Sequence, residues 1–469
     1  MLSRRVPRAL SGLLSCSRFI SRNWRRRLFS SSSRDGGIKT WEVRCGSAGW
    51  ITVDIYNAHL LIAPTNPLIL YLPPTGAHLR HIHPEVPPFL LSNPNILSTQ
   101  KHQYPLARIN YRWNIPHPVP GSPHLLSTSP KFANHAFPTP LHDTLHAYTW
   151  LTTSFLPTFT AGRDDSSSPP RSPSPYAAVS SYTAPPRTPP RPLIIYGSFL
   201  GGTLATSLAL TESHTRPQGG VSIHGVIIHN GIFDWTVAAT SKPPTPTPSH
   251  LSNQASSTRE QQELLETGAQ GWDFHTLHRL KEKLFSNPSS AFDAFASPIL
   301  FFRSSGLAIP SHFPGTEPVA PPIDDAILGG LSLSDEELAA LRERHGAPSP
   351  SSSSSSSEEE EALLPSTPRK SPLKFPPTDS NLRIPNSLFL TSPTPSTEEE
   401  PTTLEMQRQA HELATAMRRS IVMHEFRARK GGREIEAHAR SEERVRVCEV
   451  RETEMEIGNV VGEWMEGRV

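Results

Sequence analysis

The chain has 469 residues, 50 of them proline, 36% hydrophobic residues and a formal net charge of +2. Proline at roughly twice its usual share excludes a uniformly packed globular body, and the absence of any run of about 18 apolar residues excludes a membrane-spanning helix. Three cysteines (Cys16, Cys45 and Cys448) exclude a disulfide scaffold, a CxxC metal site and an iron–sulfur cluster. What remains is a core of about 250–300 residues with low-complexity insertions, long enough to bury one large α/β core.

Residues 1–34 hold nine arginines, nine serines and no acid; the first is Asp35. Leu10, Leu13, Leu14, Phe19 and Ile20 recur among the arginines, so a helix here would be amphipathic and cationic. That composition is expected of a mitochondrial presequence, with Arg27-Leu28-Phe29-Ser30 similar to a matrix-peptidase site. The expected location is therefore the mitochondrial matrix. Without its nine arginines the chain keeps 36 basic and 43 acidic residues. The body lacks the basic bias that favours nucleic acid, so nucleic acid is not an expected partner.

Residues 50–56 alternate like an edge strand. Residues 67–72 are an apolar run that stops at Pro73-Pro74-Thr75-Gly76, as a buried strand would. Residues 106–112 read as a third strand. Residues 137–151 open with prolines and continue with helical spacing at Leu141, Leu145, Tyr148 and Leu151. Strand 193–196 passes through glycines into helix 202–210. Residues 224–229 and 384–390 are further strands, 407–429 a long helix and 444–450 a last strand. Strands alternating with helices imply an α/β protein with a mainly parallel central sheet flanked by helices. One domain is expected over 40–469, interrupted near 164–191, 241–259 and 346–380. Those stretches are rich in Ser, Pro and charge and bury too little apolar surface to offset the entropy of ordering.

Between strand 193–196 and its helix the chain reads Gly197-Ser198-Phe199-Leu200-Gly201-Gly202-Thr203-Leu204-Ala205. This resembles the nucleophile elbow, G-x-S-x-G, of the α/β-hydrolases, and within them the hormone-sensitive-lipase-like esterases. Asn110-Tyr111-Arg112, the Phe137-Pro138 to Asp143 helix start and Ser297-Pro298 are similar to family landmarks in the same order, over about 55–469. The chain resembles a fungal-type mitochondrial member with degenerate catalytic motifs.

The resemblance implies a catalytic serine midway between Gly197 and Gly201, and Phe199 stands there, with Ser198 one residue early. It implies an acid after strand 384–390, where Thr391-Ser392-Pro393-Thr394-Pro395 follows, with no carboxylate before Glu398. It implies a histidine after the last strand, yet the last histidine of the chain is His438. The implied oxyanion loop is Leu72-Pro73-Pro74-Thr75-Gly76, whose prolines have no N–H. The expectation is a hydrolase scaffold without its triad, acting as a binding or assembly module for a hydrophobic small molecule or a protein partner. Pro74, Thr75, Gly76, Phe199, Asp234 and Trp235 are its candidate pocket residues, and it needs no cofactor. A carboxylic-ester hydrolase using Ser198, with His78, His81, His83 or His229 as base, is the alternative; an accessory subunit of a mitochondrial complex is a third reading.

Three other features carry less. His78, His81 and His83 lie on one loop with only Glu85 beside them, so no metal is expected. His411-Glu412 lacks the second histidine, at 415, of a zinc-protease helix. Arg418, Arg419, Arg427, Arg429, Lys430 and Arg433 fit a solvated helix end. Asp234 and Trp235 also fit a helix cap and a core residue.

Overall fold

The computed structural model describes residues 38–74, 86–92, 103–113, 135–160, 189–216, 220–240, 281, 284–304, 373–377, 380–393, 401–426, 434–451 and 453–468. The expected presequence, residues 1–34, the expected insertion 241–259 and most of those expected at 164–191 and 346–380 lie outside them.

Eight strands form one sheet: β1 Lys39–Arg44, β2 Trp50–Tyr56, β3 Leu68–Leu72, β4 Leu106–Asn110, β5 Arg191–Ser198, β6 Val221–His229, β7 Asn386–Thr391 and β8 Val445–Glu449. Their order is β1-β2-β4-β3-β5-β6-β7-β8. β2 runs antiparallel to both β1 and β4, and every pairing from β4 to β8 is parallel. β3 (Leu-Ile-Leu-Tyr-Leu) is buried at every position, the pattern of a parallel strand covered on both faces.

β2 is not the edge of the sheet. β1 pairs along it from Lys39↔Ile55 to Arg44↔Trp50 and takes the outer position. β1 is short and carries Lys39, Glu42 and Arg44, the composition that protects an exposed edge. Its fit depends on its own Val43, fully buried, and on Thr40 Oγ1 donating to Asp54 at 2.7 Å.

Helices α1 Thr139–Trp150, α2 Phe199–Glu212 and α3 Pro401–Ser420 lie over one face. Leu141, Leu204, Leu208, Leu413 and Met417 join one large apolar cluster there. α2 is buried from Phe199 through Leu210, as a helix that is apolar all round must be. The long helix expected over 407–429 begins at Pro401 and closes in a π-helical turn, Ile421–Phe426. Helix α4 Glu434–Arg444 precedes β8, and α5 Glu454–Glu466 covers the other face. Trp464 of α5 stands on Gly225 of β6, where an added Cβ would lie 2.3 Å from its ring. Thr453 caps α5, its hydroxyl accepting from the Glu456 amide, with the Thr-x-x-Glu spacing of a capping box.

Two residues at the ends of the expected insertions are packed in the fold. Arg191 opens β5, is 4% exposed, and donates to the carbonyls of Leu61, Ala63 and Asn66. Phe375 is buried in the core and packs edge-on to Phe302 at 5.2 Å. Among the described residues, no helix is long and apolar enough to cross a membrane.

Candidate functional site

β5 stays extended through Ser198 (φ −133°, ψ 148°) and then turns within one residue into α2. Phe199 makes that turn at φ 48°, in the left-handed region that a bulky side chain rarely enters. The strain of order 1–3 kcal/mol is held by close packing. A Cβ on Gly197 would lie 2.5 Å from the Gly201 carbonyl oxygen, and one on Gly201 would lie 2.3 Å from the oxygens of Leu72 and Pro73. One on Gly202 would lie 2.9 Å from Ile228. The three glycines therefore let strand, helix and the β3 loop meet. The position they present holds Phe199, 1% exposed and part of the larger apolar cluster.

The backbone around the elbow is internally paired. Leu200 N–H donates to the Pro74 carbonyl at 3.3 Å, and Tyr111 Oη donates to the Pro73 carbonyl at 2.6 Å. After β7, Ser392 N–H donates to Asn230 Oδ1 at 3.1 Å and Asn230 Nδ2 donates to Ser392 Oγ at 2.8 Å. After β8 come Val450, buried, and Arg451. His438 is exposed on α4, before β8. Thr75, Gly76, His78, His81, His83 and Glu398 lie outside the described residues.

Of the four histidines considered as a base for Ser198, the described residues place His229 beside it. Ser198 pairs in register with His229 of β6, so both side chains leave the same face of the sheet, the one under α5. Ser198 is 5% exposed. His229 Nε2 is enclosed without a hydrogen-bond partner, and burial pushes the imidazole down to about 4, leaving it neutral near pH 7.

Asp234 and Trp235 follow β6 at the carboxyl edge, where open α/β sheets place ligands. Asp234 Oδ1 accepts from Thr236 N–H at 3.0 Å and its Oδ2 pairs with Arg303. Gln409 of α3 holds the same loop, its Oε1 accepting from the amides of Phe233 (2.9 Å) and Asp234 (3.0 Å). Trp235 is 1% exposed. Its ring meets Phe285 at 5.4 Å and Trp113 at 6.3 Å, and Phe137 closes the group. Aromatic side chains thus fill this part of the edge. Arg112 and Asp143, both from motifs of the resemblance, form a buried ion pair: Arg112 Nε and N–H reach Asp143 Oδ2 at 2.8 and 3.1 Å. Among the described residues, no group of three His, Cys, Asp or Glu could hold a metal.

A mainly parallel eight-stranded sheet, an antiparallel second strand, exchanged β3 and β4, and a strained turn after β5 decide the architecture. The fold is that of an α/β-hydrolase. No protein-family model matches the chain, and no curated protein matches it in sequence. Solved structures similar to it include a hyperthermophilic esterase from the archaeon Pyrobaculum calidifontis (12% identity, TM-score 0.39, 92% of this chain and 84% of that one). Carboxyl esterase 2 from the mycorrhizal fungus Tuber melanosporum is another (11% identity, TM-score 0.41, 94% and 89%). A third is brefeldin A esterase, a bacterial homologue of human hormone-sensitive lipase (14% identity, TM-score 0.29, 59% and 58%). These likenesses are distant, and the assignment of fold rests on the strand order and the elbow.

Proposed function

We propose that this chain is a non-catalytic binding or assembly module on an α/β-hydrolase scaffold. The observation that carries the reading is the elbow itself: Phe199 stands at the nucleophile position, and the amide beside it, on Leu200, is paired with Pro74. Acyl transfer needs a nucleophile, a base, an orienting acid and an oxyanion hole. Phe199 stands at the nucleophile position, no carboxylate follows β7 before Glu398, and no histidine follows β8. A hydrophobic small molecule or a protein is the proposed partner, with residence in the mitochondrial matrix and assembly into a mitochondrial complex as the working context. The composition of residues 1–34 supports the location. A fluorescent fusion of the whole chain should enter mitochondria and stay outside them once residues 1–34 are removed.

A second reading is favoured by the register of Ser198 and His229: an ester hydrolase in which Ser198 attacks and neutral His229 takes its proton. Short-chain nitrophenyl ester turnover and fluorophosphonate labelling separate the two. The module reading expects neither from the full chain. Turnover and labelling that disappear in both Ser198→Ala and His229→Gln would replace it with the hydrolase.

A further inference from the structure

A cavity of about 660 Å³ opens on the flank of α3, away from the elbow, with which it shares no residue. Its volume lies within the usual range of small-ligand sites, about 300–1,000 Å³. Arg408, His411, Thr415 and Arg419 supply one wall at helical spacing, and Met423 continues it. Arg303, Leu373 and Lys374 face them.

Two chemistries meet there. The first is positive charge. Arg303 and Arg408 are engaged by Glu412, at 2.7 and 3.3 Å. Lys374 and Arg419 make no hydrogen bond or ion pair with any residue described. Burial, and then the charge of Lys374, hold the His424 imidazole below its ordinary range. The second is exposed apolar surface. Leu373 is 48% and Met423 38% exposed, so two of the few large apolar side chains that are open to solvent among the described residues share this cavity. A simple inorganic anion leaves the apolar wall uncovered. A neutral apolar ligand leaves the two cations unused. A strand of nucleic acid needs a longer track of charge and open aromatic faces.

We propose that this cavity binds a free anionic amphiphile: a carboxylate or phosphate held by Lys374 and Arg419, with its apolar chain against Leu373 and Met423. This goes beyond the module reading and stands whether or not the elbow is catalytic, because the two regions are separate.

The test is calorimetric titration of the full chain with decanoate and decyl phosphate, beside decanol and inorganic phosphate. Decanoate and decyl phosphate should bind at least about tenfold more tightly than decanol or phosphate alone. Lys374→Glu with Arg419→Glu should weaken both by tenfold or more, and the uncharged pair Leu373→Ser with Met423→Ser should weaken decyl phosphate while sparing inorganic phosphate. These side chains are exposed, and circular dichroism checks that each variant folds. No binding by the unaltered chain, or equal binding by the charge-reversed variant, would overturn the proposal. So would co-sedimentation with phosphatidylcholine–phosphatidylglycerol vesicles, lost on charge reversal, when free decyl phosphate does not bind: the surface would then read a membrane.

Discussion

The amide of Leu200 donates to the carbonyl of Pro74, at 3.3 Å. In an α/β-hydrolase the residue after the nucleophile offers that N–H to the oxyanion. Here the β3 loop occupies it, and Tyr111 fixes the same loop through Pro73. An oxyanion donor is worth about 3–4 kcal/mol of barrier, so on the module reading this bond matters beside the missing hydroxyl at 199.

On the module reading, Phe199→Ser is expected to give no measurable ester turnover, because no histidine follows β8 and the Leu200 amide is paired with Pro74. The same change removes a buried ring and should cost about 3–5 kcal/mol of stability. Urea denaturation and a nitrophenyl acetate assay on one preparation check both. Turnover gained at Phe199→Ser would show that the rest of the machinery survives.

Gly201 of the elbow and Gly220, just before β6, should separate by the reason each is needed. Gly201→Ala places a Cβ 2.3 Å from two backbone oxygens that cannot swing aside, and the expected cost is about 3 kcal/mol or more. Gly220 has φ +74° but nothing within 4 Å of an added Cβ, so Gly220→Ala should cost only about 1–2 kcal/mol of backbone strain. Equal midpoints in urea for the two variants would contradict this packing account.

Stability against pH should reflect two buried groups pulling in opposite directions. His229 is neutral in the fold down to about 4, while the unfolded chain takes up its proton near 6.5. Its contribution is full above 6.5 and is lost as pH falls toward 4. Glu212 is pushed up to about 7 by burial, so its contribution is full below its unfolded value near 4.5 and is lost as pH rises to about 7. Between pH 5 and 6.5, His229→Gln should flatten the acid-side loss, and Glu212→Gln should steepen it. Unfolding free energies measured at half-unit intervals of pH would show the two slopes moving apart; slopes that move together would refute the assignment.

Much of this architecture was legible in the residues, for physical reasons. Leu68–Leu72 and the apolar centres of β5, β6 and β7 are strands in any context, bounded by Pro, Gly or Asn. The spacing of Gly197, Gly201 and Gly202 set the elbow's register and put Phe199 at its apex. β1 was not legible, because Lys39–Arg44 becomes a strand only through pairing with β2. α5 carried a readable signal, Thr453 three residues before Glu456, outside the motifs of the hydrolase resemblance. At the site, the Leu200–Pro74 bond joins two backbone groups and leaves no mark on residue type. The Ser198–His229 neighbourhood depends on which residues of two parallel strands come level, and β5 and β6 shift register between Leu193 and Ile194.

The ion pair of Arg112 and Asp143 gives the sharpest stability prediction. Both side chains are 2% exposed or less, and they tie the end of β4 to the first turns of α1. A buried pair is costly to desolvate, and breaking one side leaves the other charge stranded. Asp143→Ala should therefore cost about 3–5 kcal/mol in urea unfolding. Replacing both, as Arg112→Met with Asp143→Leu, should recover much of that loss, since a well-packed apolar pair of similar volume removes the stranded charge. The recovery is the decisive measurement in the double-mutant cycle. If the double variant is as unstable as the sum of the two single changes, the pair serves no joint role. The stability of the β4–α1 junction would then reside in Trp113, Phe137 and their aromatic neighbours.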